Sequence, residues 1–358
     1  MRWDTDSQVF HSLVTLSYSI FLCYRSWVWT SIATHIIQMT SFFKNNTSYS
    51  NPPDTNDRFV QPLNFWVFLI LDVPAVMCSI FALYHLLKDR QLRTALHNHV
   101  TILILLFNLI YQLVDIPLHL QYFSTGIVRP ATPALCLIWL FIDYGFFFTD
   151  LVLLMWASFE RHILIFHTSM LTTQRRRLFV HYLPIFVIVM FMMLFYGVVI
   201  FAPPCQNTFD FTMDTCGTGG CYNSVPFFGM VERIGFAIVP TFLIAIFCMA
   251  LIIRIIRQKY RIRGIIEWRR QRKLIVQLVS MSSVYLFFDM PLSIVDLVHL
   301  SGQPDWGHDA LPAIFYLSYF PILLLPIVCL GSIPELWNKV KKYKLRRPQR
   351  VAMATTNY

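Results

Sequence analysis

Charged residues are scarce in this sequence. They make up 13% of its 358 residues, about half of the share that is typical of soluble domains. At the same time 56% of the residues are hydrophobic, 32 residues are phenylalanine, and the mean hydropathy is +0.55. A soluble domain could not keep so much apolar surface away from water, so the composition indicates a polytopic membrane protein.

The sequence also lacks the signatures of several other functions. Its formal net charge of +10 is accompanied by no nucleic-acid-binding motif, so no nucleic acid is expected as a partner. The spacings His97-x-His99 and His162-x4-His167 are similar to those of membrane di-iron desaturases, but the paired-histidine box of those enzymes is missing. We therefore expect no enzyme activity, no metal and no cofactor. A transporter or channel that uses intramembrane acids stays an alternative, against which the absence of a visible internal repeat argues.

Seven apolar segments are each close to the roughly 20 residues that a membrane-spanning helix needs. They lie at about 65–87, 99–123, 132–166, 178–201, 227–256, 272–300 and 310–331. The sequence therefore predicts an all-α membrane protein, a seven-transmembrane helix bundle in the lipid bilayer of the plasma membrane. Every segment except the third contains a proline in its interior, so the third is predicted to be a straight helix.

The third segment carries residues that are unusual in a bilayer, where an ionisable group costs roughly 2.5–3.5 kcal/mol. Asp143 and Arg161 are 18 residues apart, a whole number of helical turns, so both point the same way. Cys136 and Asp150 each lie seven residues from Asp143 and fall about 20° from that line. These four residues are predicted to share one stripe, with Cys136 at one membrane surface and Arg161 at the other.

Positive charge is distributed unevenly around the seven segments. Of the 29 Lys and Arg residues, 23 follow the first, third, fifth and seventh segments, and the positive-inside rule assigns that side to the cytoplasm. The N-terminus is then extracellular, where overlapping sequons at Asn45 and Asn46 predict glycosylation. Four cysteines fall on the same side, an even number that is compatible with two disulfides. They are Cys136, Cys205, Cys216 and Cys221.

The two ends of the chain differ in composition from the region of the seven segments. Residues 1–64 are predicted to form an extracellular N-terminal segment, in which residues 1–38 are signal-like, interfacial or an artefact of the start site. Residues 65–331 are the seven-helix domain. In residues 332–358, Leu336, Trp337 and Val340 form an apolar face among lysines after Pro334. This pattern predicts a short amphipathic cytoplasmic helix followed by a short tail.

Several of these features occur in the same order in one family. Cys136 stands 25 residues before Arg161, and Glu160-Arg161-His162 takes the place of an Asp/Glu-Arg-Tyr triplet. The prolines that kink helices five, six and seven of the family are matched by Pro240, Pro291 and Pro326. Over about residues 60–345 the chain resembles a rhodopsin-like (class A) G-protein-coupled receptor. The resemblance implies an extracellular ligand, a heterotrimeric G protein as partner, and an Arg161 that Glu160 holds at rest until helix six moves outward.

The resemblance also places a ligand site. Asp143 lies where amine receptors of the family place the partner of the ligand's ammonium group. Four further acids map to the outer half of the bundle, namely Asp115, Glu232, Asp289 and Asp296. An acidic pocket of low dielectric selects cations, so the expected ligand is a biogenic amine or a basic peptide. The alternative is that Asp143 pairs inside the protein with a histidine or arginine, or is protonated.

The sequence departs from the family pattern at positions that relay activation. Asn108 replaces the helix-two acid, while Asp150 brings an acid to the same cavity from the third segment. This pair either holds a sodium ion or forms a hydrogen bond between Asn108 and a protonated Asp150. Asp289 replaces the toggle tryptophan, and Cys329 replaces a helix-seven tyrosine. These changes leave the predicted fold intact and remove groups that the standard relay uses.

The resemblance further implies that Cys136 is bonded to the loop at 203–226. Cys205, Cys216 and Cys221 compete for this bond, and Cys221 and Cys216 are preferred because both sit near the fifth segment. The two cysteines left over would close the loop on itself.

Overall fold

The computed structural model describes residues 57–166, 173–217, 219–259, 265–303, 305–307 and 310–333, with only the backbone of 57–61, 255–256, 258–259 and 265–274. The predicted sequons at Asn45 and Asn46, residues 1–38 and the amphipathic helix after Pro334 lie outside the described residues.

Seven long helices of the described residues form the bundle. They are α1 (Asp57–Lys88), α2 (Leu96–Thr125), α3 (Pro133–Phe166), α4 (Gln174–Phe201), α5 (from Pro226 to Lys259), α6 (Ile265–Leu300) and α7 (Leu311–Ser332). Each contains a stretch that is long and apolar enough to cross a membrane. The prediction of a seven-helix bundle is confirmed, although α6 begins several residues before the predicted start at about 272.

Helix α3 lies at the centre of this bundle. It packs against α2, α4, α5 and α6, while α1, α2 and α7 pack together on one side. Of the most apolar stretch of α3, 61% is buried, against 28% for α4. Polar groups on α3 are therefore within reach of partners on four neighbouring helices.

Helix α3 is not the uninterrupted α-helix that its lack of an internal proline predicts. Residues Phe141–Phe146 form a π-helical turn between the α-helical stretches Pro133–Leu140 and Phe147–Phe166. A π-helical turn holds more residues than an α-helical turn and so changes the angle between side chains above and below it. Cys136, Asp143, Asp150 and Arg161 are nevertheless all buried, as the predicted stripe requires.

Two other helices contain a π-helical turn as well. These turns are Leu178–Tyr182 in α4 and Val231–Ile238 in α5. Each of the three π-helical turns holds a buried ionisable residue, which is Asp143 in α3, His181 in α4 and Glu232 in α5. Such turns occur often at functional sites because the widened turn re-aims a side chain.

The connection between α1 and α2 fixes where α2 begins. A short helix, Arg90–Thr94, starts at Asp89, whose side chain accepts a hydrogen bond from Gln91 N–H at 3.1 Å. The Asn98 amide donates to the Leu92 carbonyl at 2.9 Å and ties α2 to this short helix. The first turn of α2 is thereby held beside the end of α3.

Candidate functional site

Two disulfides mark one end of the bundle, which we name the disulfide end. Cys136 of α3 is bonded to Cys216, and Cys205 is bonded to Cys221. The first bond attaches the loop between α4 and α5 to α3, and the second closes that loop on itself. Both parts of the sequence prediction are confirmed, and Cys216 is the partner of Cys136. We name the opposite end, which carries Arg161, the basic end.

The loop between α4 and α5 covers the disulfide end and is fixed there by hydrogen bonds. Val128, after α2, donates its N–H to the Phe211 carbonyl of the loop at 2.8 Å. Within the loop, hydrogen bonds from the Thr212 hydroxyl and N–H hold the pKa of the Asp210 carboxyl below its ordinary value. We refer to this loop as the covering loop.

Asp115 lies in a buried cluster that joins α2, α3 and the covering loop. Its Oδ1 accepts a hydrogen bond from Trp139 Nε1–H at 2.7 Å, and its Oδ2 lies 3.3 Å from His119 Nε2. The other ring nitrogen of His119 lies 2.9 Å from Oδ1 of Asp214 in the loop. An imidazole with a carboxylate at each nitrogen is well placed to be positively charged, so Asp115 has its counter-charge within the protein.

Glu232 of α5 is also engaged by neighbouring side chains. Its Oε2 accepts hydrogen bonds from the hydroxyl groups of Tyr196 at 3.0 Å and Tyr222 at 2.7 Å. Burial, and next the nearby Glu232 carboxyl, raises the pKa of the Tyr222 phenol, which therefore stays a donor. The fourth predicted pocket acid, Asp296, is half-buried near Arg233 and His299.

Asp143 keeps one carboxylate oxygen available. Its Oδ1 accepts a hydrogen bond from the Tyr111 hydroxyl, whereas its Oδ2 is buried and has no hydrogen-bond partner among the described residues. Tyr319 lies close enough to interact electrostatically with Asp143, and the ring centroids of Tyr111 and Tyr319 are 6.4 Å apart. A desolvated carboxylate oxygen beside aromatic rings is suited to binding a cation.

A second polar group lies in the middle of the bundle. The Asn108 amide donates to Asp150 Oδ2 at 2.7 Å and to the Ile104 carbonyl at 2.9 Å, which is the contact expected from the sequence. On α6, Asp289 is buried and neither of its oxygens has a hydrogen-bond partner among the described residues. In that part of the chain no three His, Cys, Asp or Glu side chains are grouped as a metal site would require.

At the basic end, Glu160 and Arg161 do not form the pair that the family resemblance implies. Glu160 Oε1 contacts Nδ1 of His181 on α4, and no Glu160–Arg161 ion pair is present among the described residues. Arg161 Nη2 instead donates to the His97 carbonyl of α2 at 3.1 Å. Adjacent helical residues point about 100° apart, so Glu160 faces α4 while Arg161 faces α2.

The remaining predicted residues of the basic end lie on three different helices. His162 Nε2–H donates to the Phe247 carbonyl of α5 at 2.9 Å. Pro291 lies inside α6 and Pro326 inside α7. The Glu160-Arg161-His162 triplet therefore contacts α4, α2 and α5 in turn, which places α3 at the hub of this end.

Several side-chain partners of the predicted residues are not among the residues predicted from the sequence. They include Tyr111, His119, His181 and Tyr196. Tyr111, Asp115 and His119 are spaced four residues apart in α2, so the helical period used for the third segment would also place them on one face. His181 and Tyr196 carry no such signal, because each is a lone polar residue in its own stretch of α4.

These features define a class of protein, a seven-helix membrane bundle with a disulfide-bonded loop over one end and a buried arginine at the other. A family model described as "7 transmembrane receptor (rhodopsin family)" matches residues 79–329. The chain belongs to this family, the rhodopsin-like (class A) G-protein-coupled receptors, and is a multi-pass plasma membrane protein.

The comparison with solved structures supports the fold. The crystal structure of squid rhodopsin matches with a TM-score of 0.64 and 14% sequence identity, covering 82% of this chain and 87% of that chain. At this identity the likeness shows the fold alone. No curated protein matches the chain in sequence.

Proposed function

We propose that the protein is a receptor that binds a cationic ligand at the disulfide end and activates a heterotrimeric G protein at the basic end. Family membership implies both kinds of partner. The observation that carries the ligand class is Asp143 Oδ2, which is buried without a hydrogen-bond partner among the described residues. Asp115 and Glu232 already contact groups of the protein, whereas Asp143 has a hydrogen-bond partner at Oδ1 and none at Oδ2 among the described residues.

The chemistry of this site favours a protonated amine. An ammonium group could donate to Asp143 Oδ2 while Tyr111 continues to donate to Oδ1. The rings of Tyr111 and Tyr319 would add cation–π attraction in a site that excludes water. The ligand is therefore a biogenic amine or a basic side chain of a peptide.

Charge and disulfides support one orientation in the membrane. The 23 Lys and Arg residues that follow the odd-numbered spans, out of 29, assign the basic end to the cytoplasm. The disulfides Cys136–Cys216 and Cys205–Cys221 lie at the opposite end, which suits an oxidising extracellular space. The N-terminus is then extracellular, and residues 332–358 are cytoplasmic.

Coupling to the G protein rests on Arg161. Its Nη1 is buried without a hydrogen-bond partner among the described residues, and its Nη2 is held by a single carbonyl. Outward movement of α6 would open a groove for a helix of the G protein, whose last carbonyl groups accept hydrogen bonds from a guanidinium.

The test uses purified protein in lipid vesicles with a panel of purified heterotrimeric G proteins. Biogenic amines and basic peptides are screened for stimulation of nucleotide exchange. Asp143→Asn is expected to abolish the response to an active compound, and Arg161→Ala to abolish exchange while surface expression is retained. A response that is indifferent to Asp143→Asn would exclude the cationic ligand site. Solute flux without exchange in the same vesicles would favour a transporter.

A further inference from the structure

A chain of hydrogen bonds connects Glu160 to the start of α2. Glu160 Oε1 contacts His181 Nδ1, and His181 Nε2 lies 2.9 Å from His99 Nδ1. The other nitrogen of His99 lies 2.9 Å from the Arg93 carbonyl. His181 is fully buried, and His99 is half-buried. We name these three side chains, Glu160, His181 and His99, the histidine chain.

The number of hydrogens in the histidine chain follows from its contacts. The Arg93 carbonyl only accepts, so His99 Nε2 carries a hydrogen. The contact between His99 and His181 needs one hydrogen, and the contact between His181 and Glu160 needs another. Three hydrogens shared by two imidazoles and one carboxyl group leave the set electrically neutral, whichever of the groups holds the mobile proton.

This neutrality has a consequence for Arg161. The charge of Glu160 is balanced within the histidine chain, and Arg161 is left with the His97 carbonyl as its hydrogen-bond acceptor among the described residues. His97 and His99 belong to the same turn of α2. The first turn of α2 therefore holds both the end of the histidine chain and the guanidinium.

We propose that His181 is a positioning residue for G-protein coupling, which keeps Glu160 turned toward α4 and so prevents it from pairing with Arg161. This proposal rests on the proposed function. In this proposal Glu160 does not restrain Arg161. Because no carboxylate of the described residues holds Arg161, its transfer to a partner breaks one hydrogen bond to a backbone carbonyl and no ion pair seen in that part of the chain.

Substitutions of these two residues should act in a specific pattern. In His181→Phe the buried Glu160 loses its partner and pairs with the adjacent Arg161. Nucleotide exchange by the ligand-free protein on its G protein should then fall about tenfold, since a hydrogen bond to a charged group contributes on this scale. Glu160→Gln alone should leave nucleotide exchange within about twofold of wild type. The Gln amide N–H can donate to an unprotonated His181 Nδ1, so the histidine chain keeps all three of its hydrogen bonds.

The double variant Glu160→Gln/His181→Phe separates this explanation from simple loss of packing. A neutral amide cannot hold Arg161 as a carboxylate does, so exchange should return to within about twofold of wild type. Tyr182→Phe is the matched control. It alters the neighbour of His181 while the ring that lies over His99, with centroids 5.5 Å apart, remains, and it should leave exchange unchanged.

Thermal unfolding of the same five proteins gives a readout that does not depend on a G protein. His181→Phe should lower the melting temperature by about 3 °C or more, and Glu160→Gln in that background should recover part of the loss. If the wild type drives no exchange on any heterotrimer, the proposed function fails. The unfolding data then decide separately whether Glu160 and His181 are coupled, and additive effects would overturn the proposal.

Two other results would overturn it. One is a several-fold rise of exchange in Glu160→Gln, which would show that Glu160 restrains Arg161 after all. The other is wild-type exchange in a folded His181→Phe protein. If His181→Phe does not fold, Glu160→Gln and Tyr182→Phe retain the packing and decide alone, with unchanged exchange in both supporting the proposal.

Discussion

The two acids Asp115 and Asp143 should respond differently to the same substitution. In Asp115→Asn the Trp139 hydrogen bond to Oδ1 can persist, but the charged contact at 3.3 Å from Oδ2 to His119 is lost. A hydrogen bond to a charged group contributes about 1.5–3 kcal/mol, and both side chains are fully buried. We expect a loss of about 2 kcal/mol in the free energy of unfolding. At about 2–4 °C per kcal/mol, the melting temperature should fall by about 4–8 °C.

Asp143→Asn is the matched control for this prediction. Tyr111 can donate to the amide oxygen as it does to Asp143 Oδ1, and Oδ2 has no hydrogen-bond partner to lose among the described residues. Replacing a buried carboxylate by an amide also removes a desolvation cost. The melting temperature of this variant should equal or exceed that of the wild type.

Both variants are measured by thermal unfolding of purified protein in one neutral detergent. The reasoning is refuted if Asp115→Asn melts within about 1 °C of the wild type, or if Asp143→Asn falls as far as Asp115→Asn. Either result would mean that the cluster around His119 does not carry the charge that its two carboxylate neighbours favour.

Three further predictions concern other contacts of the bundle. Replacing Cys136 and Cys216 by serine removes a disulfide that links residues 80 apart in sequence, and should lower the free energy of unfolding by about 4.5 kcal/mol. Replacing Cys205 and Cys221, which are 16 residues apart, should lower it by about 3 kcal/mol. Thermal unfolding without reductant measures both losses, and equal losses would contradict the chain-entropy estimate. Asn108→Leu should lower the free energy of unfolding by about 2 kcal/mol because Asp150 loses its hydrogen-bond donor, and adding Asp150→Leu should recover most of that loss. If the double variant unfolds as easily as Asn108→Leu alone, the result would argue against the contact. Tyr222→Phe should lower the free energy of unfolding by about 1 kcal/mol. The double variant Tyr196→Phe/Tyr222→Phe should lose more than the sum of the two single losses, because Glu232 then lacks both hydroxyl donors. Unfolding of the two single variants and the double variant shows whether the losses are additive.

The fold could be predicted from the sequence because its signals are long and redundant. Each span is an apolar stretch of about twenty residues, and the order of Cys136, Glu160-Arg161-His162 and the kink prolines Pro291 and Pro326 repeats a family pattern. The two disulfides followed from the even number of cysteines on one side. Their pairing could not be read from spacing, because it depends on how the covering loop folds between Cys205 and Cys221.

The π-helical turns could not be predicted from such signals. The prediction of a straight third helix rests on the absence of proline, which removes one cause of irregularity and leaves others. In Phe141–Phe146 the turn occurs without proline and includes Gly145, whose carbonyl accepts a hydrogen bond from the Thr149 hydroxyl.

The partners of the ionisable residues show the same limit. Asp143 and Arg161 were found because both lie on one helix with a regular period. Glu160 and His181 meet across two helices and are 21 residues apart, a separation that carries no periodic meaning. The adjacency of Glu160 to Arg161 in sequence suggested a pair, whereas in the structure Glu160 contacts His181 of α4 and Arg161 donates to the His97 carbonyl of α2.

A common rule connects the two ends of the bundle. At each end a buried acid of the described part contacts neutral or titratable groups rather than lysine or arginine. Asp115 contacts His119 of the same helix, Glu232 contacts Tyr196 of α4, and Glu160 contacts His181 of α4. These contacts occupy hydrogen-bonding atoms of the acids and of their partners. Among the buried atoms of the described residues that still have an open bonding position are Asp143 Oδ2 and Arg161 Nη1, both on α3. Because a buried charge with an open bonding position gains most from a new partner, under the proposed function the ligand binds at the first of these two atoms and the G protein at the second, so that both act on the same helix.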